Sequence, residues 1–461
     1  MTDSGLAEAE EKMREAGEPE PAIAAFRHRY RQLAAGDDGA IHEADIEPVG
    51  ELTSFEDLPG RDAGALDRTV VIKINGGLGT SMGLSRAKGL LVVKDGLSFL
   101  DIVALQVLAL RRRHGARLPL VLMNSARTRD DSLAALAAHP ELPADLPLDF
   151  LQGLEPKLRA DDLQPISWPE DPELEWCPAG HGDIFVSLLA SGMLDRMVER
   201  GYRYAFVSNT DNLGAVADPR VLGWMEADEL DFVSEQCDRT AADRKGGHLA
   251  RSRRDGRLLL RETAQTSPAD RAAMQDVGRH RYFNANNIWI RLAALAELLA
   301  AGDGILSLPL IRNEKTVDPT DPSSTAVYQL ETAIGSSIAL FERASALRIP
   351  RDRFVPVKTT DDLLALRSDC FERTDDARIV VSPRRRSPDP PYIELDPDHY
   401  KLLDDFEPRF AAGPPSLVGC DRLVVHGDVA FGRDVTVRGS VEIDDGGRPP
   451  RRIDDGAVLG G

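Results

Sequence analysis

A run of β-branched residues, Val70-Val71-Ile72-Lys73-Ile74, leads without a linker into Asn75-Gly76-Gly77-Leu78-Gly79-Thr80-Ser81-Met82-Gly83. The run predicts a strand. The glycines after it let backbone approach a ligand closely and expose N–H groups that can cradle phosphate oxygens. In an open α/β sheet, ligands bind at the C-terminal ends of strands, which is where this loop falls. Its spacing departs from both common alternatives. A dinucleotide fingerprint needs G-x-G-x-x-G, whereas Gly77 and Gly79 are followed by Gly83; a P-loop closes on Gly-Lys-Ser/Thr, and no such triplet follows. A glycine-rich turn without a ligand is the competing reading.

The texture around this loop supports a sheet. Leu120-Val121-Leu122-Met123, Tyr204-Ala205-Phe206-Val207-Ser208 and Ile288-Trp289-Ile290 read as further strands, and 99–112, 131–138, 184–199 and 292–301 as helices between them. Such alternation implies parallel pairing and a sheet covered on both faces. An α/β domain is expected over 66–405. Before it, residues 7–17 and the spacing of Ile23, Phe26, Tyr30 and Leu33 predict two helices, so 1–65 reads as a helical lead-in. After Pro414-Pro415 the apolar residues recur every six positions: Leu423, Val429, Val435, Val441, and Val425, Phe431, Val437, Ile443. That period predicts a short parallel β-helix over 411–461, interrupted at Arg448-Pro449-Pro450-Arg451-Arg452, against the plainer alternative of a meander.

Composition narrows the function. With 56 Lys and Arg against 76 Asp and Glu, the formal charge is −20, which argues against a nucleic-acid polymer as partner. A local cluster of lysines can still serve a nucleotide. Cys177, Cys237, Cys370 and Cys420 form no C-x-x-C pair, so neither a disulfide framework nor a zinc site is expected. The acidic N-terminus has no signal-peptide core and no apolar run approaches a membrane span, so a cytoplasmic location is expected.

Lys88 follows Gly79 by nine residues, where an ammonium could screen a triphosphate. Lys94 reads as an ordinary exposed lysine. With these residues in place the chain resembles the eukaryotic-type UTP–glucose-1-phosphate uridylyltransferases, or UDP-glucose pyrophosphorylases. The opening N-G-G-L-G-T-S-M-G and its lysine are followed in family order by Leu120 to Ser125, Phe150-Leu151-Gln152, Pro178-Ala179-Gly180-His181-Gly182-Asp183, and Ser208-Asn209-Thr210-Asp211-Asn212-Leu213-Gly214. Lys245-Gly246-Gly247, Phe283-Asn284-Ala285-Asn286-Asn287, Gln329-Leu330-Glu331-Thr332-Ala333 and Pro356-Val357-Lys358-Thr359-Thr360 complete the series. One departure is Arg86-Ala87-Lys88-Gly89, where the family usually has Gly-Pro-Lys-Ser.

The resemblance implies an α/β fold: a Rossmann-like nucleotidyltransferase (GT-A-like) domain on a mixed sheet, with the short C-terminal parallel β-helix. It implies that glucose 1-phosphate attacks the α-phosphorus of UTP with the help of Mg²⁺. Two anions must be brought together, so charge neutralisation and in-line positioning matter more than proton transfer. Lys88 and Lys358 are then the catalytic cations. Ile74, Asn75, Gly76, Gly77, Leu78 and Gly79, with Gln152, Gly180, Gly182, Asp211 and both lysines, would hold the nucleotide. His181, Asn209, Gly247, Glu262, Asn284 and Asn286 would hold the sugar phosphate, and Asp211 the metal. Read alone, Asp211 is as readily a turn residue or helix cap, Gln152 an ordinary loop residue and Lys358 a surface lysine.

UTP and glucose 1-phosphate are thus the expected partners, with a homo-oligomer through the C-terminal segment also left open. The rival substrates are another sugar 1-phosphate, such as an N-acetylhexosamine, or a broad range of them. Those relatives typically carry arginine in the glycine-rich loop, where this chain has Ser81-Met82. A non-catalytic nucleotide-sugar sensor is the rival of another class, opposed by the presence of Lys88, Asp211 and Lys358 together. A dehydrogenase is disfavoured by the loop spacing.

Overall fold

Burial alternates in destination along the first predicted strand. Val71 packs with Phe99, Val103 and Trp289 on one face, while Val70 and Ile72 pack with Phe185, Met197 and Leu295 on the other. Both faces are therefore covered, which is why the strand is apolar at consecutive positions. The computed structural model describes residues 2–59, 63–240, 243, 246–447 and 450–460. Lys245 and Arg448-Pro449 from the motifs above lie outside the described residues.

Eight strands form the main path of the central sheet: β1 (Thr53–Ser54), β2 (Thr69–Ile74), β3 (Leu120–Asn124), β4 (Asp149–Leu151), β5 (Tyr204–Asn209), β6 (Phe232–Asp238), β7 (Tyr282–Arg291) and β8 (Ala344–Arg348). Their order is β1-β8-β6-β7-β5-β2-β3-β4. The neighbours of β2, namely β5 and β3, run parallel to it, so the glycine-rich loop emerges at the same end as the loops after β3 and β5. Strand β7 corrects the parallel expectation, because it runs antiparallel to both β5 and β6. Among the described residues between β6 and β7, the α-helix is the five-residue Arg271–Gln275, too short for a crossover. A hairpin, His248–Ser252 paired with Leu258–Arg261, fills that interval, and it permits an antiparallel return. Residues 46–48 of the N-terminal lead-in pair with His248–Ser252, and β1 adds to β8, so this segment contributes strands as well as helices.

Helix α1 (Thr2–Glu15) and helix α2 (Glu20–Ala34) are separated by Gly17, whose φ of 81° is left-handed, and by Pro19. Ile23, Phe26, Tyr30 and Leu33 pack against Leu158, Leu310 and Leu330, as their spacing predicts. Helix α3 (Phe99–His114) has a Ser98/Asp101 capping box and ends at Gly115. The single helix expected over 184–199 is two, Ile184–Ala190 and Met193–Glu199, because Gly192 turns left-handed between them. Toward the C-terminus, Tyr392–Leu395, Cys420–His426 and Gly439–Asp444 form a parallel ladder in which Leu423 faces Val441 and Val425 faces Ile443. Two further parallel pairs, Val429–Phe431 with Arg451–Ile453 and Thr436–Val437 with Val458–Leu459, complete this region. Among the described residues, no helix is long and apolar enough to cross a membrane.

Candidate functional site

The C-terminal ends of β2, β3 and β5 lie side by side. Asn75 N–H donates to the Met123 carbonyl, and the Thr210 N–H and hydroxyl both donate to the Ile74 carbonyl, at 3.1 and 3.0 Å. The Asn75 side chain turns into the protein rather than outward: Nδ2 donates to Asn124 Oδ1 and Ser132 Oγ, each at 2.8 Å. It thus anchors the loop. Gly79 and Gly83 adopt left-handed backbone at φ 69° and 75°, and Leu78 between them and Gly77 is half-buried. Gly77 is exposed, and a side chain there would meet open space. At Gly76 a Cβ would fall 2.4 Å from Gln152 Oε1, so the Gln152 amide lies directly on this glycine.

Asp211 touches Lys88 directly and the Lys358 segment through its backbone. Lys88 N–H donates to the Gly77 carbonyl, which fixes the lysine under the loop, and Lys88 Nζ reaches Asp211 Oδ2 at 2.7 Å. Lys358 comes from far away in sequence through backbone pairing, since Asn212 bridges Pro356 and the Val357 N–H donates to the Asp211 carbonyl. Its ammonium stands 5.7 and 5.9 Å from the Phe283 and Phe354 rings. Phe283 belongs to β7, so the ammonium stands toward that strand.

Beyond Gln152, Gly180 and Gly182 abut Glu331 and Thr332. A Cβ at Gly182 would lie 2.4 Å from Thr332 Oγ1, and the Gly182 N–H donates to the Thr332 carbonyl. His181 Nδ1 accepts from the Ile334 N–H at 3.0 Å. Desolvation holds its imidazole down to about 4, so it is neutral at pH 7 with the proton on Nε2. Gly153, after Gln152, donates to Asp183 Oδ2, and Glu18 from the N-terminal hairpin stands beside the same glycine. Burial pushes the Glu18 carboxyl up to about 7, with Asp183 adding to the shift. Cys177 is buried and its thiol is pushed up to about 12, which leaves it unreactive.

The remaining predicted residues gather on β7 and its neighbours. Glu235 faces Asn287 while Gln236 faces Asn284, so Ala285 and Asn286 bulge out of register. The bulge gives Asn286 a φ of 55° and aims its Nδ2 at Asn209 Oδ1, 3.0 Å away. Asn286 Oδ1 is buried with no hydrogen-bond partner among the described residues, an acceptor that a hydroxyl can satisfy. Asn284 Oδ1 accepts from the Asn286 N–H, and Gly247 leaves room for Glu262, whose Oε2 would be 2.5 Å from a Cβ there. Burial raises the Glu262 carboxyl, and Lys358 pulls it back.

Three buried groups escaped the sequence reading. Lys73, 1% exposed, donates to Ser208 Oγ at 2.7 Å and to the Ala215 carbonyl at 2.9 Å; burial lowers its ammonium to about 7, with Asp211 opposing the shift. Glu235 and Arg353 pair within the core, and Asn287 and Trp289 also donate to Glu235. The only available signal was a charge inside an apolar strand. A cavity of about 610 Å³ lies behind the 213–219 loop, lined by Gln106, Arg220, Asp352 and Arg353, and none of the predicted site residues line it. Among the described residues no group of three or more His, Cys, Asp or Glu side chains could hold a metal.

The family model for UTP–glucose-1-phosphate uridylyltransferase matches residues 23–438. The UTP–glucose-1-phosphate uridylyltransferase of Solanum tuberosum is 37% identical over 415 residues, 90% of this chain and 84% of that protein. A mutant UDP-glucose pyrophosphorylase from Leishmania major, solved in complex with UDP-glucose, is 46% identical with a TM-score of 0.94, covering 99% of this chain and 98% of that one. A UDP-glucose phosphorylase structure from Trypanosoma brucei is 43% identical with a TM-score of 0.92, covering 99% and 98%.

Proposed function

The chain belongs to the UTP–glucose-1-phosphate uridylyltransferase family, and on that premise we propose how the residues at these strand ends join glucose 1-phosphate to UTP. A phosphate oxygen of glucose 1-phosphate attacks the α-phosphorus of UTP. The bond to the β-phosphate breaks, its electron pair leaves with pyrophosphate, and UDP-glucose remains. No proton need move in this displacement, which agrees with the neutral His181.

Gly76 to Gly79 cradle the phosphates, and Gln152 reads the uracil edge against Gly76. Lys88 neutralises the triphosphate, while Lys358 stabilises charge that builds around the α-phosphorus. His181, donating from Nε2, and Asn209 hold the sugar phosphate. Asn284, Asn286, Glu262 and the Gly247 backbone bind glucose hydroxyls. The support for this arrangement is one observation: Lys88 and the Lys358 segment both meet Asp211, although the lysines are far apart in sequence.

One carboxylate suits a Mg²⁺ ion that arrives with the nucleotide, because that ion keeps phosphate oxygens and waters as its other ligands. Asp211 would hold it, and the ion would neutralise phosphate charge when bound. In this reading 66–405 carry the chemistry, flanked by 1–65 and 411–461. Self-association through 411–461 is tested by the molar mass in solution.

The deciding experiment is pyrophosphate release from UTP with a panel of sugar 1-phosphates and Mg²⁺. Glucose 1-phosphate should be the preferred acceptor. Far faster turnover of N-acetylglucosamine 1-phosphate would overturn the sugar assignment.

A further inference from the structure

We infer that Lys73 is a positioning residue for the loop that carries Asn209 and Asp211. Its buried ammonium grips that loop on both sides of Asp211, at Ser208 Oγ and at the Ala215 carbonyl, and so sets where the carboxylate meets the nucleotide. The inference rests on the assignment of Asp211 proposed above.

Placement is the first argument. Lys73 lies in β2, one residue before the strand ends in the glycine-rich loop, and Ser208 and Asn209 close β5 alongside it. In register, Lys73 faces Ser208 and Ile74 faces Asn209. One side chain therefore joins the strand that carries the phosphate cradle to the loop that carries Asp211. The loop itself is tightly wound, with Asn212 N–H donating to the Asn209 carbonyl and Ala215 N–H to the Asn212 carbonyl. Fixing both its flanks fixes what lies between.

Energetics is the second. Lys73, Ser208 and Ala215 are at most 2% exposed, and an ammonium taken out of water costs stability unless acceptors surround it. A methionine of similar length would fill the strand without that cost. Two acceptors receive the ammonium, and the Phe206 ring lies 5.9 Å from it. The same loop is held from the other direction by Asn212, whose Oδ1 accepts from Gly214 N–H and from Val355 N–H, three residues before Lys358. Lys73 and Asn212 thus fix the loop relative to the glycine cradle and to the Lys358 segment respectively.

Four variants of the full chain test this: Lys73→Met, Ser208→Ala, Asp211→Asn, and the Lys73→Met/Asp211→Asn double. Steady-state kinetics with both substrates are joined by calorimetric UTP binding in EDTA and by thermal melting. Misplacing the carboxylate by a fraction of an ångström should lower kcat of Lys73→Met by about 10–100-fold, with KM for each substrate within about threefold. In the Asp211→Asn background the same change should cost less than about twofold, because the group it positions is already disabled. UTP binding in EDTA should stay within about threefold of wild type for Lys73→Met, and a larger loss would make Lys73 a general structural residue and overturn the inference. Multiplicative losses in the double variant, or a wild-type kcat for Lys73→Met, would overturn the inference. Should Lys73→Met fail to fold, Ser208→Ala removes one grip and must itself lower kcat, since an unchanged value overturns the inference equally. Near-normal turnover of Asp211→Asn alone would instead sink the assignment of Asp211, and that result needs no Lys73 variant.

Discussion

Lys88 Nζ and Asp211 Oδ2 stand 2.7 Å apart, with side chains only 16% and 22% exposed, so the two groups proposed to receive the charged parts of the nucleotide neutralise each other. A phosphate and its cation must compete with this pair. Asp211→Asn should therefore act in two directions. Turnover with Mg²⁺ should fall by about 10²–10³, the loss typical of one electrostatic stabiliser. UTP binding in EDTA should tighten by roughly threefold to tenfold, because Lys88 is released and a like charge is gone. Calorimetry with and without metal measures both. Near-normal turnover at limiting Mg²⁺ would mean that another residue carries the ion.

Neighbouring glycines make a second prediction. Gly76→Ala drives a methyl into the Gln152 amide, whereas Gly77→Ala places one in open space. Gly76→Ala should raise KM for UTP about tenfold or more by displacing the base reader. Gly77→Ala should keep the wild-type melting temperature and still weaken UTP binding, since the room at Gly77 serves the ligand and not the packing. If Gly77→Ala binds UTP normally, the phosphates do not approach that backbone.

Glu18 gives a pH prediction. Its carboxyl lies near 7 in the folded protein against 4.5 ordinarily, so the native state holds a proton that the unfolded chain has lost. A raised pKa contributes stability that is complete below pH 4.5 and disappears as pH rises through 7. Glu18→Gln keeps an acceptor for the Leu154 backbone and carries no charge. It should raise the melting temperature at pH 8 by roughly one to three degrees and change it little at pH 4.5. An equal shift at both pH values would show that Glu18 is not protonated in the fold.

These residues also show where sequence is readable. The strand into Gly76 was legible because β-branching and glycine act locally, and neither depends on what packs nearby. The helix pair at the N-terminus was legible for the same reason. The direction of β7 was not, because it depends on a hairpin between 248 and 261 replacing a crossover helix. Asn75 was assigned to the nucleotide by motif, yet its amide is spent on Asn124 and Ser132, which no local pattern reveals. Lys73 was passed over because a charge in an apolar strand contradicts the pattern that identifies the strand. Sequence also misjudged Lys94 as exposed: its Nζ donates to the Ser368 carbonyl at 2.6 Å and burial lowers its pKa.

Lys358 supports the last prediction. Its backbone is fixed twice, by Asp362 Oδ2 accepting from its N–H at 2.7 Å and by the neighbouring Val357 N–H on the Asp211 carbonyl. The ammonium is left over two aromatic faces, near the half-buried Glu262, whose carboxyl burial raises and the ammonium partly pulls back. The ammonium thus stands beside the proposed sugar site, and the Val357 N–H on the Asp211 carbonyl ties its segment to the proposed metal ligand. Such a group acts more on the transition state than on UTP alone. Lys358→Ala should lower kcat by about 10²–10³ and change UTP affinity less. Lys358→Arg should restore little, since a planar guanidinium over Phe283 and Phe354 cannot occupy the position of a compact ammonium. Lys315, exposed on an outer strand, is the control, and its loss should be nearly silent. Wild-type kcat for Lys358→Ala at saturating substrates would make Lys358 a structural cation, and the chemistry would rest on Lys88 alone.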